Sequence, residues 1–180
     1  MDPLALIKKY FDPESKAFKR LVGHSAQVAG LADLVAGRLE GVCYFFRTFV
    51  AEATWLHDIG IFLTDAPEIG CFDGKRYLPH GILGAEILNR EGLPRHALVC
   101  ERHIGVGITR SDIIAQQLPL PARDMSPQTV EEEIVAYADL FFSKHRKGAR
   151  TLADVRKSLA RFGDRQVGIF DAWHARFGGG

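Results

Sequence analysis

Apolar residues recur at helical spacing along nearly the whole chain, and no stretch alternates apolar and polar residues between turn signals at hairpin spacing. Leu4, Ile7 and Phe11 mark a short opening helix. Asp12-Pro13-Glu14 reads as a helix start, with Asp12 as N-cap and Pro13 in the first helical position. Phe18, Leu21, Val22, Val28, Leu31, Leu34 and Val35 continue from it as far as Gly41. Phe45, Phe46, Phe49, Val50, Ala53 and Leu56 mark a helix that closes at His57-Asp58, with Gly60 as its stop. Further helices are expected over 80–90, 94–104, 130–144, 152–162 and 167–177, with one short helix and a Pro-containing loop between Thr109 and Met125. Thr64 to Pro79 holds Pro67, Gly70, Gly74 and Pro79 and reads as a long loop, either a lid or a crossing between helices. The expected fold class is all-α, a compact helical bundle. Its 180 residues suit one domain with one sizeable core.

Composition narrows the function classes. The chain is 47% hydrophobic and 25% charged, with a formal net charge of +1, so there is no general electrostatic case for nucleic acid or an anionic membrane. No apolar run approaches the roughly 20 residues needed to span a bilayer. Cys43, Cys71 and Cys100 are widely spaced and form no CxxC pair, which fits reduced thiols in a cytoplasmic protein. Phe170, Trp173 and Phe177 form an apolar stripe expected to pack on the core; a homodimer face is the alternative.

The chemistry concentrates in a few residues. His24 opens "HSAQVAGLADLV", His57 and Asp58 stand together in "LHDIG", His80 opens "HGILGAEIL", and His103 closes "ALVCERHIG". Asp139 interrupts the apolar face of "EEEIVAYADLFF". Buried unpaired, that carboxylate would be costly, so it needs a cation, a donor or a metal. Taken singly, such histidines are more often hydrogen-bonded structural residues and such an Asp is more often a cap or solvent-facing. Their joint occurrence is what argues for a metal. His96, His145 and His174 lie beside Arg or Lys or on faces expected to be exposed, and are assigned no ligand role, although His145 is a candidate contact for a substrate phosphate.

The ordered pattern of His24, then His57-Asp58 in HDIG, then Asp139 resembles the signature of the HD-domain superfamily. His80 and His103 resemble the two further histidines of its dinuclear branches. The resemblance covers about Gly23 to Ser143, and "RHIGVGIT…EEEIVAYAD" is similar to a group of small members described as phosphohydrolases. It implies one HD domain over 1–180, its core about 18–145, with C-terminal helices at 150–177 packed on it. It also implies two divalent metal ions. His24, His57, Asp58 and Asp139 would hold the first, and Asp58 would bridge to a second held by His80 and His103. Iron or manganese is favoured; magnesium, nickel, cobalt and zinc stay open, because a mixed His/carboxylate set does not select among them.

The implied reaction is hydrolysis of a nucleotide or other small phosphate ester by a metal-activated hydroxide, with catalysis assigned to Asp58, His80 and His103. A dinucleoside polyphosphate is the first compound to consider. Lys75, Arg76, Arg102, Thr109 and Arg110 are the candidate substrate contacts. Where many relatives carry Lys after HDIG, this chain has Ile61, and Ile61-Phe62 stand in place of the tandem acids of alarmone hydrolases. The GYP-type segment of cyclic-di-GMP phosphodiesterases is also missing. Two rival readings use the same residues: a mixed-valent di-iron HD-domain oxygenase, and a non-catalytic nucleotide-binding regulatory module.

Overall fold

The computed structural model describes residues 1–144 and 148–178. Along these the helices are α1 (Pro3–Tyr10), α2 (Lys16–Leu39), α3 (Arg47–Leu56), α4 (His80–Arg90), α5 (Pro94–Arg102), α6 (Arg110–Gln116), α7 (Val130–Asp139), α8 (Leu152–Leu159) and α9 (Asp164–Phe177). The all-α expectation holds. The one sheet among the described residues pairs β1 (Asp65–Ala66) with β2 (Cys71–Phe72) antiparallel, in the register Asp65 to Phe72 and Ala66 to Cys71. No helix among the described residues is long and apolar enough to cross a membrane.

Several local signals fall elsewhere than the sequence suggested. The Asp-Pro helix start is at Asp2-Pro3, where the Asp2 carboxylate accepts from the Ala5 amide at 3.1 Å. Asp12-Pro13 instead forms a turn, its carboxylate accepting from the Glu14 amide at 3.0 Å, and Ser15 caps α2 by accepting from Phe18 at 3.1 Å. The first half of the segment read as a long loop, 64–79, is packed: a short 3-10 turn at Pro67–Ile69 separates β1 from β2, and Ala66, Ile69 and Cys71 are buried, whereas 72–76 are exposed. α7 stops at Asp139 rather than continuing to 144, because the chain tightens into i→i+3 bonds from Phe141 to Ala138 and from Phe142 to Asp139.

The core has two apolar clusters, and three helices thread both. On α2, Leu21 belongs to the cluster with α1, α4 and α5, whereas Val28 belongs to the cluster with α7, α8 and α9. On α3, Leu56 lies in the first and Val50 and Ala53 in the second; on α5, Cys100 lies in the first and Val99 in the second. His24 falls between Leu21 and Val28 on the buried stripe of α2, and His57 follows Leu56. The histidines are therefore carried to the seam between the clusters. Phe170, Trp173 and Phe177 are at most 6% exposed and complete the second cluster, so that stripe is core and not a dimer face.

Candidate metal centre

Three of the four clustered histidines use one local device. His57 caps the end of α3 and its Nδ1 bonds the Thr54 carbonyl at 2.7 Å. His103 does the same at the end of α5 with the Cys100 carbonyl at 2.8 Å, and His80 opens α4 with the Tyr77 carbonyl at 2.8 Å. A carbonyl can only accept, so each Nδ1 carries a proton, and when the ring is neutral Nε2 is the atom left with the lone pair. Those lone pairs meet: His24 Nε2 lies 3.3 Å from His57 Nε2, and His80 Nε2 lies 3.2 Å from His103 Nε2.

Asp58 stands between the two pairs and divides its oxygens. Oδ2 is 3.2 Å from His24 and 3.1 Å from His57, whereas Oδ1 is 3.2 Å from His80 and 3.5 Å from His103. Asp139 joins the first pair, with Oδ1 2.9 Å from His24 and 3.4 Å from His57. Despite these distances, His24 Nδ1, both oxygens of Asp58 and Asp139 Oδ1 find no well-directed hydrogen bond among the described residues. Lone pairs converge on common points instead of on donors, the arrangement of ligands aimed at a cation. The donor atoms form two groups, His24/His57/Asp58/Asp139 and Asp58/His80/His103, each within 4.8 Å, with Asp58 in both. The donor set is that of a divalent-metal site, hard oxygen and borderline nitrogen without thiolate.

The histidines and one lysine set the protonation of the two carboxylates. Burial alone would push the Asp58 carboxyl up, but the Lys144 ammonium, 2.6 Å from Oδ2, and His57 hold it well below the usual carboxylate range. Burial likewise opposes ionisation of Asp139, which His24, His57 and Lys144 keep well below that range. Burial disfavours the His57 imidazolium, yet Asp58 and Asp139 outweigh it and raise the group to about 10. His103 is lowered, chiefly by burial. Lys144 is the residue that sequence reasoning passed over: it lies beyond the end of α7, and the early stop of that helix lets it turn back onto Asp58. Ile61 follows HDIG in this chain, and the ammonium that reaches Asp58 comes from Lys144, far along the sequence.

Close backbone packing brings these elements together. A Cβ on Gly60 would lie 2.2 Å from the His80 carbonyl oxygen and 2.3 Å from the Gly84 nitrogen. A Cβ on Gly84 would lie 2.3 Å from Cys100 Sγ, and one on Gly81 would lie 2.6 Å from the Cys100 oxygen. Gly60 is thus required for close approach to α4, not as a helix stop. The same packing lets Cys100 Sγ donate to the His57 carbonyl at 2.9 Å.

The five expected substrate contacts have other positions. Arg102 donates to both carboxylate oxygens of the buried Glu132, at 3.0 and 3.1 Å. Thr109 caps α6 in a capping box with Asp112, and the backbone amide of the exposed Arg110 donates to Asp124 at 2.9 Å. Lys75 and Arg76 are exposed between β2 and α4. Among the described residues, no ion pair or hydrogen bond links any of the five to the six clustered ligands. His96, expected on an exposed face, is buried and lies 3.2 Å from Glu52, and His174 bonds the Tyr137 hydroxyl at 2.8 Å. His145 lies outside the described residues.

Fold and donor set define a helical protein with a histidine–aspartate metal cluster. The HD domain model matches residues 21–142, and the chain belongs to the HD domain family. Its fold is similar to that of the HD domain of the phosphodiesterase PgpH from L. monocytogenes, with a TM-score of 0.55 and 19% identity over 96% of this chain and 95% of that one. A second structure of that domain, in complex with cyclic-di-AMP, matches with the same score and identity over 97% and 95%. Among curated relatives, an uncharacterized protein of Methanocaldococcus jannaschii is 45% identical over 51% of this chain and 47% of its own length. The tRNA (cytidine(56)-2'-O)-methyltransferases of Picrophilus torridus and Thermoplasma volcanium are 41% and 31% identical, over 56% and 71% of this chain but only 26% and 33% of theirs. The chain thus spans between a quarter and a half of the length of these relatives.

Proposed function

We propose that this protein is a metal-dependent phosphohydrolase acting on a nucleotide or another small phosphate ester, with a dinucleoside polyphosphate as the first candidate. One observation carries the reading: two groups of donor residues share Asp58 and turn imidazole Nε2 atoms toward each other at 3.2 and 3.3 Å. Two divalent ions, iron or manganese by preference, would supply Lewis acidity toward phosphate oxygens and lower the pKa of water. Asp58 would be shared by both ions, with His80 and His103 holding one and His24, His57 and Asp139 holding the other. The Thr54, Tyr77 and Cys100 carbonyls orient three of the rings and keep Nε2 available. Lys144, 2.6 Å from Asp58, is placed to offer an ammonium to a phosphate oxygen at this site. The cyclic-di-AMP bound by the fold neighbour supports a nucleotide as substrate. The three unpaired cysteines support a cytoplasmic setting.

Elemental analysis of the untagged protein tests the reading, followed by a phosphate-release screen over nucleotides, dinucleoside polyphosphates and cyclic dinucleotides, with and without oxygen. Two ions per chain and oxygen-independent release are expected. Turnover that requires oxygen would replace hydrolysis by the oxygenase reading, and absence of metal after reconstitution would leave a binding module.

A further inference from the structure

An open cleft of about 360 Å³ lies against the metal centre, within the size range of small-molecule sites. Lys19, Arg20, Gly23, His24, Gln27, Ser143 and Lys144 line it, and among the described residues no carboxylate does. Two of these connect it directly to the cluster: His24 is a ligand, and Lys144 touches Asp58. Asp139, 2.9 Å from His24, has 18% of its side chain exposed, whereas the other five ligands are almost fully buried.

We propose that this cleft binds a chain of two or more phosphates, and that Lys19 and Arg20 determine this preference. The inference rests on the phosphohydrolase reading and names its substrate class. Helix register is the main argument. Arg20 precedes His24 by one turn on α2, so the two share a face, roughly 6 Å apart along the axis. A single phosphate at the metals would be neutralised there. Lys19 and Arg20 extend positive charge outward along α2, where only a further anionic group could use it. Gly23 lies between them and His24, and a Cβ there would meet nothing within 4 Å, so the cleft floor is open.

Both cations are available. Among the described residues Lys19 is held by Glu14 alone, at 3.0 Å, with the two side chains 61% and 86% exposed, a pair of the kind that contributes little. Arg20 makes no ion pair among the described residues. Its guanidinium suits bidentate contact with phosphate. The small volume and the net charge of +1 favour a nucleotide polyphosphate over a nucleic-acid backbone.

Isothermal titration of the metal-loaded protein with inorganic phosphate and tripolyphosphate, at fixed ionic strength and fixed free metal, decides the matter. The native protein is expected to bind tripolyphosphate at least about tenfold more tightly than phosphate. The Lys19→Ala/Arg20→Ala double variant should lose that preference while keeping its metal content, its melting temperature and its phosphate affinity within about twofold. Because both side chains are exposed on α2, the double variant should fold; Arg20→Gln provides a milder check. A preference that survives in the double variant, or that is absent from the native protein, overturns the proposal. A native protein that releases phosphate from no ester, yet shows the tripolyphosphate preference and loses it in the variant, overturns the hydrolase reading and leaves the cleft assignment standing.

Discussion

His80 and His103 on one side of Asp58, and His24 and Asp139 on the other, are held in different ways. The first two are both braced through Nδ1 by carbonyls of their own chain at 2.8 Å, and their helices are pressed together through Gly81, Gly84 and Cys100. His24 sits in the middle of a long helix with Nδ1 unpartnered, and Asp139 is the last residue of α7 and partly open to solvent. One half is closed. In the other, His57 is braced as well, by the Thr54 carbonyl at 2.7 Å, but His24 faces the basic cleft and Lys144 lies against Asp58. Asp58 belongs to both groups, so the halves should be separable by mutation except there.

The most severe test removes that common member. Asp58→Ala should take metal content from two ions per chain to none, measured by elemental analysis; retention of both ions would refute the bridge. His103→Ala should empty only the closed half, leaving about one ion per chain, and His24→Ala should do the same for the open half. If either single variant lost both ions, the halves would be one cooperative site. Lys144→Met should destabilise the metal-free protein by about 3 kcal/mol in chemical denaturation, because it leaves buried carboxylates without their cation. The loss should shrink in the metal-loaded protein; an equal loss in both states would make Lys144 a purely structural residue. Gly60→Ala should cost about 2 kcal/mol, since backbone rather than a flexible side chain blocks the added methyl. It should loosen the ion at His80 before the one at His24, a difference that metal titration would show.

Much of this centre was legible in one dimension. His24, His57, Asp58, His80, His103 and Asp139 could be picked out because their residue types are conspicuous beside apolar helical runs, and their order resembles a known signature. Helix class was legible for the same reason: apolar periodicity is a local property. Helix ends were less so. Ser15 displaced Asp12 as the cap of α2, since both residues can cap and only the path of the chain chooses between them.

Lys144, Lys19 and Arg20 carried no local mark, because exposed-looking cations are common on helical surfaces and at helix ends. Arg102 looked available beside His103, but Glu132 on a different helix claims it. Sequence alone determined the helical class and the six donors, through periodicity and side-chain chemistry that act over a few residues. Tertiary structure alone decided which cations face those donors, that Gly60 is needed for close packing and which half of the centre opens to solvent. Each of those depends on distances between segments far apart in the chain, set by how two apolar clusters pack along a shared seam.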